Sequence, residues 1–447
     1  MNYEVEKPVK LDDLPMTRFL KRVTVFSSGG PFLEGYVLAI IGVALVPMGK
    51  ELSIDSHWSG LIGVAALLGL FLGAFLGGWI TDVLGRKKMF VVDVVTIGLL
   101  SVLCFFLTSP FQVFLMRFLI GVAIGADYPI ATSMIAEFTP RRFRAMSMGS
   151  IAAVWYLGAN VAYLVGYFMI DLPNGWRWML ASSVIPCLII LLGRWSIPES
   201  PRWLQSKGRG QEAETIMRSV FGRSVVVDDE ACENTKLSTI FRKNYLWRVI
   251  FVAIIWLCQA IPMFGIYTYG PQIINQFGLG EGKASFIGEI IIGMFFLLGT
   301  IPAMILTEHW GRRPVVVWSF ALMTLAMAVL GVLPAGAMGG VIFCFIVYAL
   351  ASGGPGNLQW LYPNELFPTS VRATAMGVAM SLSRIATVVS IYVLPIALEK
   401  YGLSATMMAG AVISLLGLLV SMVWAPETKG LSLVETSAEN FTGRKKK

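Results

Sequence analysis

Six ionisable residues stand inside stretches of this chain that are otherwise apolar: Glu34, Asp93, Arg117, Asp127, Glu289 and Arg384. Charge at bilayer depth is costly, so ionisable groups in such places are by default carriers of ions, protons or substrate. Two carboxylates in a low-dielectric setting suit proton carriage, because burial and mutual repulsion disfavour the charged form. With a helical rise of about 1.5 Å per residue, Glu34 lies roughly 16 Å above the cytoplasmic start of its helix and Asp127 roughly 18 Å above the end of its own. They are expected to share a level near the midplane, with Arg117 almost three turns further out on the helix of Asp127. This reading makes Glu34 and Asp127 the proton site and Arg117 its modulating charge. The alternative is a static ion pair, which apolar residues often replace without loss of stability.

The remaining three differ in kind. Asp93 follows Lys88 by five residues and is expected in a network at the cytoplasmic surface. Glu289 falls near the outer end of its helix, where water can solvate it. Arg384 is a permanent cation near the midplane, and a guanidinium can bind a carboxylate through two hydrogen bonds. The competing role for Arg384 is pairing with an internal acid.

These residues need helices to hold them. The chain is 56% hydrophobic and only 14% charged, too little charge to cover a soluble protein of 447 residues. Its mean hydropathy is +0.71. The apolar residues fall into twelve blocks, about 23–47, 58–81, 89–108, 111–138, 145–170, 177–196, 247–275, 284–307, 314–334, 338–364, 373–397 and 404–424. Each is near the length that crosses a hydrocarbon core about 30 Å thick. Lipid offers backbone groups no hydrogen bonds, so the blocks must be helices. The expected fold is all-α, with twelve membrane spans in two pseudo-symmetric bundles of six.

Of the 35 lysines and arginines, all but six fall in the termini, in the loops after even-numbered spans or at the span ends beside those loops. Lys50, Arg177, Lys283 and Lys400 fall on the other side, and Arg117 and Arg384 within spans. This asymmetry puts both termini in the cytoplasm, and it explains a net charge of +8 without nucleic acid. The polar start leads directly into the first span, so no cleavable signal segment is expected. Five cysteines and two histidines show no metal-ligand spacing. No nucleophile–base set or nucleotide motif points to an enzyme or to a cofactor.

The two halves repeat. Glu137 to Gly149 matches Glu365 to Gly377, and Pro198-Glu199-Ser200 matches Pro426-Glu427-Thr428, both at an offset of 228. Asp82 to Lys87 matches Glu308 to Arg313 at an offset of 226. The polar interval between spans six and seven divides the chain into a first bundle, 1–197, a linker with short amphipathic helices, 198–246, and a second bundle with its tail, 247–447. Parallel repeats of this kind occur in secondary transporters, whose substrates bind near the midplane between halves.

Glycine at 85 and at 311 permits a tight turn between helix ends. The acids and arginines around these turns can cross-link the ends by charge-assisted hydrogen bonds. The expected cytoplasmic gate joins Asp82, Gly85, Arg86, Glu137, Arg144 and Glu199, mirrored by Glu308, Gly311, Arg312, Glu365, Arg372 and Glu427. Closed, it would favour an outward-facing state. The repeat also pairs Arg384 with Tyr156, and Asn160 lies one turn further on the same face. Gln259 and Tyr267 share a face of span 7, where Pro262 should break the helical ladder. In span 10, the run GGPGNLQW at 353–360 reads as a discontinuous helix, with Asn357 and Trp360 three apart. Arg384, Tyr156, Asn160, Gln259, Tyr267, Asn357 and Trp360 are the expected substrate ligands.

These motifs together resemble the signature set of the sugar porters in the major facilitator superfamily, over nearly the whole chain. A closer resemblance is to the inner-membrane metabolite transporters of enteric bacteria, which implies a bacterial inner-membrane location. The stretch from Arg117 to Pro129 is similar to the fourth helix of phosphate–proton symporters, whose aspartate is linked to proton movement. Glu34-Gly35-Tyr36 is similar to the first acid of an acid-x-aromatic-acid motif, and the second acid is Val37 here. That departure rests coupling on Glu34. The hexose-porter run in span 7 is reduced to Gln259, with Phe264 in place of its asparagine, and Ala260 stands where phosphate symporters have an aspartate. An arginine at 384 is similar to organic-anion carriers.

The sequence therefore predicts a monomeric, proton-coupled importer of a small organic anion working by alternating access. A carrier of a neutral sugar or polyol is the runner-up. A drug-efflux carrier and a non-transporting nutrient receptor are weaker readings.

Overall fold

A computed structural model describes residues 9–10, 14–221, 225–226, 243–276, 283–334, 337–368, 371–438 and 441. Among them, twelve helices are long and apolar enough to cross a membrane. Spans 1 to 6 are Arg18–Leu45, Gly60–Leu84, Arg86–Phe106, Pro110–Ile135, Gly149–Met169 and Gly175–Trp195. Spans 7 to 12 are Tyr245–Tyr267, Ile290–His309, Arg312–Val332, Gly339–Leu366, Thr374–Leu394 and Lys400–Trp424. Their outward faces are as apolar as their cores: Leu192, Val332 and Trp195 are each more than two-thirds exposed. Such faces are stable only against lipid, and the chain is a multi-pass membrane protein.

Local signals set the helix starts. Asp55 accepts the Trp58 N–H at 2.7 Å ahead of span 2, and Ser109 caps span 4, which opens on Pro110. Span 1 carries a junction at Ser28, between a ten-residue amphipathic helix, Arg18–Ser27, and the apolar helix Gly29–Glu51. Two features differ from expectation. The helix of span 10 runs unbroken over Met338–Leu366 with Pro355 and Pro363 inside it. Span 7 likewise lies in one helix, Lys243–Gln276, that passes through Pro262. Neighbouring helices support such prolines in membrane proteins, so proline marks no necessary break.

Within the first half, span 2 packs along span 4 and span 1 along span 5; in the second, span 7 packs along span 11 and span 8 along span 10. The halves meet where span 2 lies on span 11 and span 5 on span 8. The linker forms helices Pro201–Ser206 and Gly210–Phe221. Within the same linker, Val225–Val226 pair in parallel with Val9–Lys10.

Candidate substrate and proton site

A cavity lies between the halves near the middle of the bundle. Spans 4 and 5 contribute Tyr128, Ala152, Trp155 and Tyr156, and spans 7, 10 and 11 contribute Trp256, Gln259, Phe264, Gln359, Trp360 and Arg384, among others. Aromatic faces dominate it. Tyr128 and Trp360 stack across the interface between halves at 4.6 Å and 7°. Trp256 meets Trp360 edge-on at 4.9 Å, and Trp155 meets Phe264 edge-on at 5.8 Å.

The charge of Arg384 is held at the wall of this cavity. Its Nη2 donates to Glu34 Oε1 at 2.8 Å, and the indole N–H of Trp155 donates to Glu34 Oε2 at 2.8 Å. Glu34 is completely buried and Arg384 nearly so. The guanidinium also lies 5.3 Å from the Phe264 ring centroid, within cation–π range. This ion pair crosses from span 1 to span 11 and therefore joins the halves.

Asp127 belongs to a different centre. Arg194, near the cytoplasmic end of span 6, grips it with two hydrogen bonds, Nη1 to Oδ1 at 2.6 Å and Nη2 to Oδ2 at 3.0 Å. Asp93 stands 3.4 Å from the same Nη1. Arg194 donates further to the carbonyls of Phe26 and Phe90, both at 3.1 Å, and lies 3.8 Å over the Phe90 ring. One guanidinium thus ties spans 1, 3, 4 and 6. The Asp127 carboxylate occupies the place that a side chain at position 30 would fill, so Gly30 gives it room.

This corrects three expectations. Glu34 and Asp127 do not face each other, because each has its own arginine. Arg117 modulates neither: its Nε and Nη1 donate to the carbonyls of Ile62 at 3.2 Å and Val37 at 3.3 Å. Asp93 is buried beside Asp127, not in a surface network. The side chain of Glu289 lies outside the described residues.

Among the expected substrate ligands, Arg384, Tyr156, Gln259 and Trp360 line the cavity, while Asn160, Tyr267 and Asn357 do not. Asn160 donates to the Tyr156 carbonyl at 2.8 Å, its own preceding turn. Asn357 donates to the Thr300 carbonyl at 3.1 Å, facing span 8. Tyr267 stacks behind Tyr156 at 6.2 Å. Gln259 Nε2 is engaged by Ser352 Oγ at 3.0 Å and by Met263 Sδ at 3.2 Å. Sequence reasoning missed Trp155, Tyr128, Gln359 and Arg194. Arg194 lies inside the apolar block 177–196, yet its place two residues from the end grouped it with the cytoplasmic charges.

The cytoplasmic charges form two similar clusters. In the first half, Arg86 pairs with Asp82 at 3.1 Å and Glu137 at 3.2 Å, and Ser200 Oγ also bonds Glu137. Glu199 accepts the N–H groups of Arg86 at 3.0 Å and Lys87 at 3.2 Å. Burial pushes the Glu199 carboxyl above the usual carboxylate range, against those backbone donors. In the second half, Arg312 pairs with Glu365 at 3.1 Å and approaches Glu308 at 3.9 Å. Glu427 accepts the Arg312 N–H at 3.0 Å. Gly85 and Gly311 both adopt φ of +103°, and a side chain there would strike Glu199 or Glu427. The two clusters are not separate mirrors. Arg372 reaches across to Glu137 at 3.6 Å, Thr374 N–H donates to Asp82 at 3.1 Å, and Met146 N–H donates to Glu308 at 3.3 Å. The side chain of Arg144 lies outside the described residues.

Comparison with known proteins places this architecture. The family model described as "Sugar (and other) transporter" matches residues 23–439. YaaU of Escherichia coli (strain K12), whose name assigns it to metabolite transport without a substrate, is 53% identical over 434 residues, 97% of this chain and 98% of the relative. The inner membrane metabolite transport protein YgcS of the same strain is 36% identical over 430 residues, 96% of each chain. The proton:xylose symporter XylE bound to 6-bromo-6-deoxy-D-glucose superposes with a TM-score of 0.82 at 21% identity, covering 94% of this chain and 98% of that one.

Proposed function

The chain belongs to the sugar transporter family of the major facilitator superfamily, and on that premise we propose that it is a proton-coupled importer of a small organic anion. The observation that carries this reading is the Glu34–Arg384 pair: it joins the halves, and its cation lines the cavity.

The coupling follows from charge balance. A proton on Glu34 neutralises the carboxylate and leaves Arg384 an unpaired cation in a buried, aromatic site. A substrate carboxylate on Arg384 leaves Glu34 the unpaired charge. Either ligand alone strands a buried charge, which costs several kcal/mol in a site of this kind. Bound together, they leave none. Each ligand therefore raises the affinity for the other. A monocarboxylate and one proton cross without net charge. The inter-half bonds of Arg372, Thr374 and Met146 hold the cytoplasmic end shut in this conformation, and the clusters around Gly85 and Gly311 act as its gate.

A neutral sugar is the second reading. The amides of Gln259 and Gln359 among aromatic faces favour it, as does the sugar specificity of the xylose symporter. Under it, Arg384 would stay on Glu34 throughout.

Reconstituted Glu34→Gln should lose pH-driven accumulation by at least tenfold while keeping substrate counterflow. In the unaltered protein, uptake of a monoanion should respond to a pH gradient and not to membrane potential alone. Accumulation that survives the substitution would remove Glu34 from the mechanism.

A further inference from the structure

Four side chains at the cavity hold polar atoms that make no hydrogen bond among the described residues: Nε and Nη1 of Arg384, Nε1 of Trp360, the Tyr128 hydroxyl and Oε1 of Gln359. All four residues line the cavity and are more than nine-tenths buried. Their neighbours differ. Trp155 has spent its N–H on Glu34, and Gln259 has spent its amide N–H on Ser352 and Met263. Buried polar groups left without partners are costly, so those that persist at a cavity mark where a ligand supplies the missing bonds.

We infer that the cavity recognises a small hydroxylated monocarboxylate, with its carboxylate on Arg384 and Trp360 and a hydroxyl read by Gln359. This rests on the anion reading above and goes beyond it in naming the second group on the substrate and the residue that selects it. The open valences are unbalanced in a way that fixes the chemistry. Arg384 and Trp360 can only donate, and the three open nitrogens on them carry four N–H bonds that await acceptors. A carboxylate supplies acceptors in the number and sign required. Gln359 Oε1 can only accept, so it needs a donor, and a carboxylate has none. A hydroxyl has one, and the Tyr128 hydroxyl can bond the same group from either sense. Beyond Tyr156 and Gln259, the rest of the wall is apolar and uncharged, chiefly Trp256, Phe264 and Trp155, which suits the carbon skeleton and offers a second charge no partner.

Two alternatives fit these valences less well. A plain fatty or aromatic acid would satisfy Arg384 and leave Gln359 unpaired. A neutral polyol could satisfy Gln359, but it would add no charge to offset the release of Arg384. A site built to bond a hydroxyl rejects the analogue lacking it far more strongly than an apolar pocket rejects a methylene.

Thermal shift of the purified, full-length protein and competition for transport in proteoliposomes test this with matched probes. The panel consists of three- to six-carbon monocarboxylates bearing one or more hydroxyls, the same acids without hydroxyls, and the corresponding neutral polyols. The strongest hydroxy acid should compete at least tenfold better than its unsubstituted counterpart. Gln359→Leu should erase that ratio while leaving the affinity for the unsubstituted acid within about twofold, and Gln359→Glu should weaken both acids. Equal competition by substituted and unsubstituted acids, or a ratio that survives Gln359→Leu, overturns the hydroxyl assignment and leaves the anion reading standing. A polyol that competes as well as the hydroxy acid overturns the anion reading itself. If Gln359→Leu fails to fold, Gln359→Met provides the same comparison, and no shift with any hydroxy acid in the unaltered protein also overturns the inference.

Discussion

Two buried arginine–carboxylate centres lie on span 1 and its neighbours, and they are built differently. Glu34–Arg384 sets one carboxylate against one guanidinium, spans the two halves and faces the cavity. The Arg194 centre sets two carboxylates against one guanidinium, draws only on spans 1, 3, 4 and 6, and does not line the cavity. A motion that rocks one half against the other stretches the first pair and carries the second along intact. Alternating access is such a motion in folds built from repeats. Under the proposed mechanism, position relative to the interface, more than burial, separates the ion pair available for coupling from the one that acts as scaffold.

The sharpest way to break this contrast is to remove the scaffold cation. Arg194→Leu leaves Asp93 and Asp127 buried against each other with no counter-charge and frees the Phe26 and Phe90 carbonyls. Breaking a buried pair from one side costs about 3–5 kcal/mol. The expected result is a fall in melting temperature of roughly 10 °C, or failure to accumulate in the membrane. Arg194→Lys should recover part of it, since an ammonium keeps the charge and loses the two-point grip on Asp127. A variant that is stable but uncoupled would put Arg194 in the transport cycle and erase the distinction.

A gentler substitution sharpens it. Asp93→Asn removes the second ionisable carboxyl beside Asp127 and keeps the shape, leaving Asp127 and Arg194 as a balanced pair. Stability should hold or rise by on the order of 1 kcal/mol, and pH-driven uptake should continue. Loss of that uptake with counterflow intact would show that the proton passes through the Arg194 centre.

The contrast also marks what the sequence could and could not reveal. Span number, the internal repeat and the charge clusters around Gly85 and Gly311 were legible, because each depends on residue type and spacing along one helix or turn. Gly85 and Gly311 are the clearest case: a glycine between helix ends with acids and arginines beside it requires little beyond local geometry. The partners of Glu34, Asp127 and Arg117 were not legible. Depth along a helix follows from counting residues, but the direction each side chain faces depends on helix rotation and on which neighbours close around it. Glu34 and Asp127 were rightly placed inside the membrane, yet their facing sides diverge, one toward span 11 and the other toward span 6. Trp155 and Gln359 escaped notice because a tryptophan or glutamine beside another candidate gives no sign that it, too, lines the cavity.

An arginine–carboxylate contact that water reaches calibrates these two buried centres. At the outer end of span 1, Glu51 accepts the Trp176 indole N–H at 2.7 Å and Arg177 Nη1 at 2.5 Å. The Trp176 hydrogen bond, then the one from Arg177, hold its carboxyl below the usual range. A carboxyl whose folded value is depressed adds stability above its unfolded value and loses it as pH falls through the folded one. Glu51→Gln should therefore lower the melting temperature slightly near neutrality, and the two proteins should converge below about pH 4. Since the Glu51 side chain is 44% exposed, solvent screens the contact, and the difference should be on the order of 1 °C. A melting series from pH 3 to 8 in one detergent measures it. A drop as large as that of Arg194→Leu would mean that hydrogen bonding at the outer rim, and not burial of charge, sets the scale of these contacts.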